Sequence, residues 1–431
     1  MLDDNDVLNH LTTSTEMALA FGLVLLAAVA FVHSSPLVNN GDMARQKRAV
    51  FNEDPEVKMT TGQIIQYWGY PFESYNVKTE DNYTLTVHRI PHSRNVQETP
   101  TKARPVVFLQ HGFDGSSADW ITNLPNQAAG YVFADAGFDV WMGNFRGNID
   151  SKSQEGWSKS KHEFWQFSWD EMADYDLPAM LNLALNVSNA DSLYFVAHSV
   201  GSTAGFAKFS EDKTLAQKIK KFYALGPIVT MKNAKGPLKY IAKLSGTMQW
   251  LLGLLGVDEF APSQGLMQKM AKYVCGNVVT KLLCDDVLFL IGGPDSKQLN
   301  STRVPVYVSH SPGGTSTQNV LHFAQMINSG KFQRYDYGSK SKNQQHYRQD
   351  TPPVYDVTQM ETPVTLYSGD MDWLADPTDV TALIPNLRSL THHVALQDFN
   401  HFDFIWGLRA SPQIYWPIVN DIKSLERASQ Q

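Results

Sequence analysis

Short apolar runs alternate with longer segments of helical pattern from about residue 104 to the end of the chain, and few folds fit such an alternation. The strand-like runs are "RPVVFLQHG", "FDVWMGN", "LYFVAHS", "KFYALG", "PVTLYSGD" and "HHVALQDF". The helix-like segments include "NQAAGYVFADAG", "SWDEMADYDLPAMLNLALNVS" and the stretch from Pro412. Strands separated by helices predict a mostly parallel sheet with helices on both faces. The sequence therefore predicts an α/β fold, preceded by a hairpin in "SYNVKTEDNYTLTVHRI".

The alternation stops between residues 227 and 355. This stretch has helical and loop patterns together with the apolar runs "WLLGLLG" and "VLFLIGG". Such an apolar stretch does not behave as a solvated linker, so we predict an insertion between two parts of the core, residues 54–226 and 356–431. The insertion is either a cap over a cleft or an ordinary helical subdomain packed on the core. The pattern is compatible with both.

The beginning of the chain has the pattern of a secretory leader. The apolar run from Ala18 to Val32 is shorter than a membrane span, which needs about 20 residues, and small residues follow it. We predict a signal peptide in residues 1–35, with Met17 as an alternative start, and a pro-segment or linker in residues 36–53. "RQKR" (Arg45–Arg48) is a processing site or an exposed basic loop. A membrane anchor is the alternative interpretation of the apolar run.

Other residues also indicate the secretory pathway. Glycosylation sequons begin at Asn82, Asn186 and Asn300. Cys275 and Cys284 would close a small loop in an oxidising compartment and stay as thiols in a reducing one; the sequons favour the disulfide. The cysteine spacing is not typical of a metal site, and no metal ion or cofactor is expected. The net charge of −7 gives no indication of nucleic-acid binding.

The segment Ala197–Gly201, "AHSVG", lies between a predicted strand and a predicted helix. It is a variant of G-x-S-x-G, in which a tight strand-to-helix turn exposes a serine hydroxyl. Alanine replaces the first glycine and adds a methyl group where strand and helix approach each other. The motif indicates a nucleophilic serine at Ser199, although motifs this short also match by chance.

A nucleophilic serine requires a base, and the base requires an orienting carboxylate. In α/β hydrolases these follow the serine in the order acid, then histidine. "LYSGDMDWLADP" offers Asp370, Asp372 and Asp376 after one late strand, and "LQDFNHFDF" offers His401 after the next. Turn and capping roles are the alternative for the aspartates, and a structural role is the alternative for His401. Spacing does not choose among the three aspartates.

The carbonyl oxygen of an ester becomes an oxyanion during attack and needs preorganised donors. "LQHGFDG" follows the first core strand, at the position from which a loop N–H serves this purpose in α/β hydrolases. Phe113 would supply that N–H, and Val200, next to the serine, would supply a second. A simple turn is the alternative interpretation of this loop.

With these motifs the chain resembles the acid lipase family of animals, the gastric and lysosomal acid lipases. The resemblance runs from "EVKMTTGQIIQYWGYPFESYNVKTEDNY" to about Ile422. Its distinctive stretches are "VVFLQHGFDGSSADWITNLPNQ", "ADAGFDVWMGNFRGN", "EFWQFSWDEMADYDLPA", "SHSPGGTSTQNVLHFAQMINSGKFQRYDYG" and "NHFDFIWG". It implies an α/β-hydrolase fold with an inserted lid. The implied activity is hydrolysis of triacylglycerols or cholesteryl esters through an acyl-enzyme, at acidic pH, by a monomer acting at a lipid–water interface in lysosomes or after secretion.

The resemblance also assigns roles by position. It places the nucleophile at Ser199, the base at His401, the acid at Asp372, the oxyanion donors at Phe113 and Val200, and a disulfide between Cys275 and Cys284 within the lid. Three positions depart from the family: Ala197 replaces glycine, Val200 replaces the usual glutamine, and Gly292 stands where some members have a third cysteine. The residues before Asp54 match nothing in the family.

Two other functions are compatible with these motifs. One is a general carboxylesterase of the same fold, which would prefer short soluble esters. The other is a lipid-binding protein without activity. Because serine, acid and histidine occur in the expected order, the sequence favours the enzyme.

Overall fold

The computed structural model describes residues 54–96, 104–154, 162–243, 258–260 and 291–429. All of them belong to one compact unit, Glu53–Gln431. The predicted signal peptide, the pro-segment with "RQKR", both cysteines and the run "WLLGLLG" lie outside the described residues. The proposed domain boundaries and the disulfide therefore stay predictions.

The strands have the following bounds. They are β1 (Glu73–Lys78), β2 (Tyr83–Ile90), β3 (Val106–Gln110), β4 (Asp139–Gly143), β5 (Ser153–Gln154), β6 (Leu193–His198), β7 (Ile219–Leu225), β8 (Glu259–Phe260), β9 (Thr315–Ser316), β10 (Val364–Gly369) and β11 (Leu390–Leu396). Among the described residues, nine strands form one sheet in the order β1-β2-β4-β3-β6-β7-β10-β11, with β5 paired to β2. β1 and β2 form the expected antiparallel hairpin. The neighbouring strands β4, β3, β6, β7, β10 and β11 of this sheet all pair in parallel.

Burial on both faces explains why the central strands are almost entirely apolar. Every residue of β3, β4 and β6 is buried. Along β6, Phe195 and Ala197 pack into one core cluster, while Tyr194 and Val196 pack into a second. Successive side chains of a strand point to opposite faces, so each face of the sheet has its own core. The predicted α/β fold is confirmed.

The helices cover the sheet and link its strands. They are α1 (Thr61–Tyr67), α2 (Ala129–Asp135), α3 (Trp169–Glu171), α4 (Leu177–Ser188), α5 (Val200–Glu211), α6 (Lys213–Ala216), α7 (Pro237–Lys243), α8 (Val304–His310), α9 (Thr317–Ser329), α10 (Lys340–Tyr347), α11 (Pro377–Leu383), α12 (Asp403–Trp406) and α13 (Trp416–Ala428). Short 3-10 turns occupy Pro55–Lys58, Ser117–Trp120, His162–Trp165, Val357–Gln359 and Ile384–Asn386. In the part of the chain that the structure describes, no helix has the length and apolarity of a membrane span.

The long helix predicted before β6 contains an irregularity that the sequence analysis did not anticipate. A π-helical stretch, Met172–Asp176, joins α3 to α4, and a second one, Ser411–Tyr415, precedes α13. In both cases a proline, Pro178 or Pro417, lies at the start of the next helix. Proline has no N–H and therefore cannot form the α-helical hydrogen bond to the carbonyl four positions earlier. In both places the wider π-helical turn ends two residues before the proline.

The described part of the insertion is helical, with one short pair of strands. It contains α7 to α10, and β8 pairs with β9 through Glu259 and Ser316. The insertion is tied to the core at α3, where the Trp169 ring stacks on His322 at 4.3 Å. Asp170 accepts hydrogen bonds there from the Tyr355 hydroxyl at 2.7 Å and from the Tyr335 N–H at 2.8 Å.

The three predicted glycosylation sites differ in exposure. Asn82, in the β1–β2 turn, and Asn186, in the last turn of α4, are exposed. Asn300 is partly buried, and its side-chain oxygen accepts hydrogen bonds from the N–H and the hydroxyl of Thr302. The first two asparagines are therefore the better acceptors for a glycan, and glycosylation stays a prediction.

Several buried carboxyl groups favour the protonated form. Burial raises the pKa of Asp119 to about 7, and it raises the pKa values of the neighbouring Asp170 and Glu171 above their usual range. Buried histidines act in the opposite sense, since burial lowers the pKa of His88 and of His111 to about 4. A raised carboxyl pKa means that the folded protein holds a proton that the unfolded chain has released, so folding is favoured by acidification.

We therefore predict that the protein becomes more stable as the pH falls from 8 to 6.5. In this interval the buried carboxyls take up protons only in the folded state. Histidines of the unfolded chain oppose this effect, but they are only about half protonated at pH 6.5, and their opposition grows at lower pH. The free energy of unfolding should rise by about 1–3 kcal/mol, measured by urea unfolding in buffers of equal ionic strength. A stability that falls over the same interval would contradict these pKa directions.

Candidate functional site

Ser199 is held in a strained turn between a buried strand and a buried helix. β6 ends at His198, α5 begins at Val200, and Ser199 between them has φ 53° and ψ −119°. A residue with a side chain in such a conformation costs about 1–3 kcal/mol, so the surroundings must impose it. Its N–H donates to Leu225 O at 3.0 Å, and its carbonyl accepts from Ser202 N at 2.8 Å. The predicted strand–turn–helix at the serine is confirmed.

The two small residues of the motif have different importance. A Cβ atom at Gly201 would lie 2.7 Å from the carbonyl oxygens of both Gln110 and His111, so no side chain fits there. Ala197, the departure from the motif, is completely buried in the core cluster on one face of the sheet. Its methyl group is accommodated, and the turn is formed without the first glycine.

His401 and Asp372 meet in the interior although they follow different strands. His401 Nδ1 donates to Asp372 Oδ2 at 2.8 Å, and both side chains are buried. The other carboxylate oxygen, Oδ1, accepts hydrogen bonds from the N–H groups of Leu374 and Ala375, each at 2.8 Å. The carboxylate is thus held by the backbone of its own turn and oriented toward the imidazole.

The other two candidate aspartates have structural contacts. Asp370 is exposed, and its side chain accepts from the N–H of Asp398 at 2.8 Å. Asp376 caps α11 by accepting from Thr378 N at 2.8 Å, and it pairs with Lys235 Nζ at 2.8 Å. Burial alone would raise the pKa of Asp376, but the bonds from Lys235 and Thr378 outweigh it and lower that pKa. Neither aspartate hydrogen-bonds His401.

The backbone of His401 is held on both sides by residues that the sequence analysis did not select for this role. Its N–H donates to the carbonyl of Gly292 at 3.1 Å, and the same carbonyl accepts from Trp373 N at 3.2 Å. Its own carbonyl accepts from the ring of His198, with a distance of 2.9 Å to Nε2. A Cβ atom at Gly292 would lie 2.6 Å from the Phe402 ring, so glycine at this position lets the ring pack directly on the backbone.

His198 is a neutral neighbour of His401. The two rings lie 4.7 Å apart, and burial, followed by the charge of His401, lowers the pKa of His198 well below its usual value. A neutral ring that donates from Nε2 leaves Nδ1 as an acceptor, and Nδ1 is buried with no partner among the described residues. His198 therefore binds the His401 backbone without placing a second positive charge beside it.

Ser199 and His401 border the same short segment at the end of β7. Ser199 N binds Leu225 O, and a Cβ atom at the next residue, Gly226, would lie 3.3 Å from the His401 ring and from Asp372 Oδ2. His401 Nε2 is buried without a hydrogen-bond partner in the described part of the chain, so Ser199 Oγ does not bond to it here. Such contacts are often long without substrate and tighten when it binds.

The loop after β3 lies against Ser199. A Cβ atom at Gly112 would lie 3.0 Å from Ser199 Cβ. The N–H of Phe113 finds no acceptor among the described residues, and that of Val200 is among the unpaired donors at the start of a helix. Phe113 and Val200 both line a small cavity of about 10 Å³.

The loop is anchored by His111. Burial lowers the pKa of His111 to about 4, so the ring is neutral at neutral pH. It donates from Nδ1 to Gly112 O at 2.8 Å and accepts at Nε2 from Phe145 N at 3.1 Å. Within the described ranges, no group of three histidine, cysteine, aspartate or glutamate side chains is arranged to hold a metal ion.

Known proteins resemble this chain over most of its length. A family model for the α/β-hydrolase fold matches residues 105–408, and a model for a partial α/β-hydrolase lipase region matches residues 61–124. The Caenorhabditis elegans lipase lipl-1 is 48% identical over 377 residues, which cover 86% of this chain and 93% of the relative.

Two mammalian proteins are similar to the same extent. Human lysosomal acid lipase/cholesteryl ester hydrolase is 45% identical over 367 residues (85% of this chain, 91% of the relative). Rat gastric triacylglycerol lipase is 47% identical over 363 residues (84% and 91%). The crystal structure of a Sulfolobus solfataricus protein, 11% identical, superposes with a TM-score of 0.53 over 82% of this chain and 94% of its own, and shows the shared fold alone.

The identities to the lysosomal and gastric lipases, together with the α/β-hydrolase fold, show that this chain is an ester hydrolase and belongs to the acid lipase family.

Proposed function

We propose that the protein is a lipase that hydrolyses the carboxylic ester bonds of neutral lipids through a Ser199–His401–Asp372 triad and an acyl-enzyme, at acidic pH. The observation that carries this proposal is the buried His401–Asp372 hydrogen bond of 2.8 Å, which leaves Nε2 of the imidazole free beside the strained turn at Ser199. A base oriented by a carboxylate next to a serine hydroxyl is the arrangement that nucleophilic catalysis by serine requires.

In the first step Ser199 Oγ attacks the ester carbonyl carbon while His401 Nε2 takes the hydroxyl proton. The carbonyl oxygen becomes an oxyanion, which accepts hydrogen bonds from the N–H groups of Phe113 and Val200. Collapse of this intermediate breaks the bond to the alcohol, and the protonated His401 gives its proton to the leaving oxygen. The fatty acyl group is then bonded to Ser199.

In the second step a water molecule replaces the alcohol. His401 Nε2 takes a proton from the water, whose oxygen attacks the acyl carbonyl, and the second oxyanion occupies the same two N–H groups. Its collapse breaks the bond to Ser199 Oγ, which recovers its proton from His401. Asp372 holds the imidazole in the tautomer with a proton on Nδ1 and stabilises its positive charge in both steps.

The apolar surroundings of the loop support a lipid substrate. The Phe113 ring contacts Phe323 at 5.3 Å and Phe260 at 6.3 Å between ring centroids, and Phe260 is 45% exposed. Tyr240 and Ile291, also in the insertion, are exposed as well. Of these side chains, Phe260 is the one that places an exposed apolar ring against the proposed oxyanion loop, as a surface that meets lipid would require. The insertion would then act as a cap.

The names of the relatives indicate the ester and the compartment. Those proteins are named for triacylglycerols, for cholesteryl esters and for the lysosome. We infer that this chain acts as a monomer on one or both lipid classes at a lipid–water interface, either in lysosomes or after secretion.

Replacement of the nucleophile tests the mechanism. Ser199→Ala should lower ester hydrolysis by at least about 10⁴-fold while the melting temperature stays close to that of the wild type, because only the attacking oxygen is lost. Ser210→Ala, on the same helix, is the matched control and should keep its activity. Activity of Ser199→Ala near the wild-type level would refute the assignment.

Replacement of the carboxylate tests the orientation of His401. Asp372→Asn should lower kcat by about 10³–10⁴-fold, since an amide favours the wrong imidazole tautomer. Asp370→Asn, on the exposed carboxylate of the same loop, should leave kcat within about twofold. If both variants lose activity equally, Asp372 has no special role.

A substrate panel tests the class of ester and the pH. Emulsified long-chain triacylglycerol and cholesteryl ester should be hydrolysed faster than p-nitrophenyl butyrate, with maximal rates below pH 7. A preference for the short soluble ester would indicate a general carboxylesterase. Lipid that co-purifies with a protein inactive on all three substrates would indicate a binding protein.

A further inference from the structure

Asp114 follows the proposed oxyanion donor Phe113 and has an unusual backbone. Its φ is 54°, in the left-handed region that residues other than glycine seldom adopt, with asparagine and aspartate the commonest exceptions. The loop is closed by a hydrogen bond of 3.3 Å from Gly115 N to Gly112 O. With a glycine on each side of the Phe113–Asp114 pair, the loop has little stiffness of its own, so its shape depends on outside contacts.

Core side chains bind the two glycines, His111 at Gly112 O and Asn148 at Gly115 O, whereas the contacts at Asp114 come from the insertion. The Asp114 carbonyl accepts from Gly313 N at 2.6 Å, and its Oδ1 accepts from Gly314 N at 2.5 Å. Gly313 is itself fixed, because its carbonyl accepts from Ile149 N at 2.8 Å. A Cβ atom at Gly313 would lie 2.7 Å from the carbonyl oxygen of Gly115, so the two backbones are in direct contact.

The insertion also contacts the side chain of the preceding residue. The Phe113 ring packs edge-on against Phe323 of α9, with an interplanar angle of 84°. Asp114, Phe113 and Gly314 line the same small cavity as Val200. The insertion therefore contacts the chain on both sides of the Phe113 N–H. The Phe113 ring packs on Phe323, and Asp114 accepts hydrogen bonds from Gly313 N and Gly314 N.

We infer that Asp114 is a positioning residue, which directs the Phe113 N–H at the oxyanion by fastening the loop after β3 to Gly313 and Gly314. This inference rests on the proposed function, in which that N–H stabilises the oxyanion. The insertion then has a part in the chemistry in addition to covering the cleft, since Gly313 and Gly314 hold the loop at Asp114, while His111 and Asn148 of the core hold it at Gly112 and Gly115.

Asparagine is the informative replacement. Burial raises the pKa of Asp114 to about 8, so the carboxyl is uncharged at neutral and acidic pH. Asparagine is also uncharged, keeps an oxygen that can accept from Gly314 N, and tolerates positive φ. Glycine tolerates the same φ but has no acceptor. Both variants can adopt the positive φ, but only asparagine keeps the acceptor, and glycine is in addition the more flexible of the two.

The experiment compares wild-type protein, Asp114→Asn and Asp114→Gly on a soluble ester. Complete loss of an oxyanion donor costs about 10²–10³-fold in kcat, so a misdirected donor in Asp114→Gly should lower kcat by about tenfold with KM within twofold. Asp114→Asn should stay within about threefold of the wild type. Inactivation by a p-nitrophenyl phosphonate, whose P=O oxygen occupies the oxyanion site as Ser199 Oγ displaces p-nitrophenolate, should slow in parallel with kcat.

The control is Asn189→Gly, another residue with positive φ (50°), at the end of α4. It should leave kcat unchanged. Wild-type kcat and inactivation rate in Asp114→Gly would overturn the inference. If Asp114→Gly does not fold, Asp114→Ala, which also lacks the acceptor for Gly314 N, takes its place, and wild-type kcat in that variant would overturn the inference. A tenfold loss of kcat in Asp114→Asn at an unchanged melting temperature would overturn it as well. Failure of the proposed function is distinguishable, because wild-type protein would then be no more active than Ser199→Ala.

Discussion

Helix α5 packs so closely on the end of β3 that Gly201 has no room for a side chain, since a Cβ atom there would lie only 2.7 Å from two carbonyl oxygens. Strand β6 ends at His198 and helix α5 begins at Val200, so the chain changes direction at a single residue. Ser199 takes the strained conformation that this turn requires. The same approach brings the first N–H of α5 next to the loop after β3. The hydroxyl and the two proposed oxyanion donors therefore share one cause, the packing of a helix on a strand end.

The proposed base is held mainly through its backbone, which leaves its ring free for proton transfer. Gly292 and His198 bind the N–H and the carbonyl of His401, and Asp372 binds only Nδ1. The charges around the imidazole also favour proton transfer. Asp372 supplies a negative charge on one side of the imidazole, while His198, kept neutral by burial, adds no repulsion when the imidazole becomes positive.

The sequence predicted the fold well because buried parallel strands and helices have different apolar periods. It also predicted the turn at Ser199. It did not separate Asp370, Asp372 and Asp376, since the direction of each side chain depends on how one turn is hydrogen-bonded; the resemblance to the acid lipases selected Asp372. The contacts of His198 and Gly292 with His401 leave no local pattern in the sequence, because His401 lies far away along the chain. Positive φ at Asp114 has no local signal either.

The described part of the insertion is a component of the site's framework. It reaches the site at three places: Gly292 binds the backbone after β10 and β11, Gly313 and Gly314 bind the loop after β3, and Phe323 packs on Phe113. At Gly292 and Gly313 the approach is so close that a side chain would collide with its neighbours. A rigid displacement of these residues would break the hydrogen bonds that shape the oxyanion loop and the proposed base. In the proposed mechanism, a long acyl chain would therefore have to reach Ser199 while Gly292, Gly313 and Gly314 remain in place.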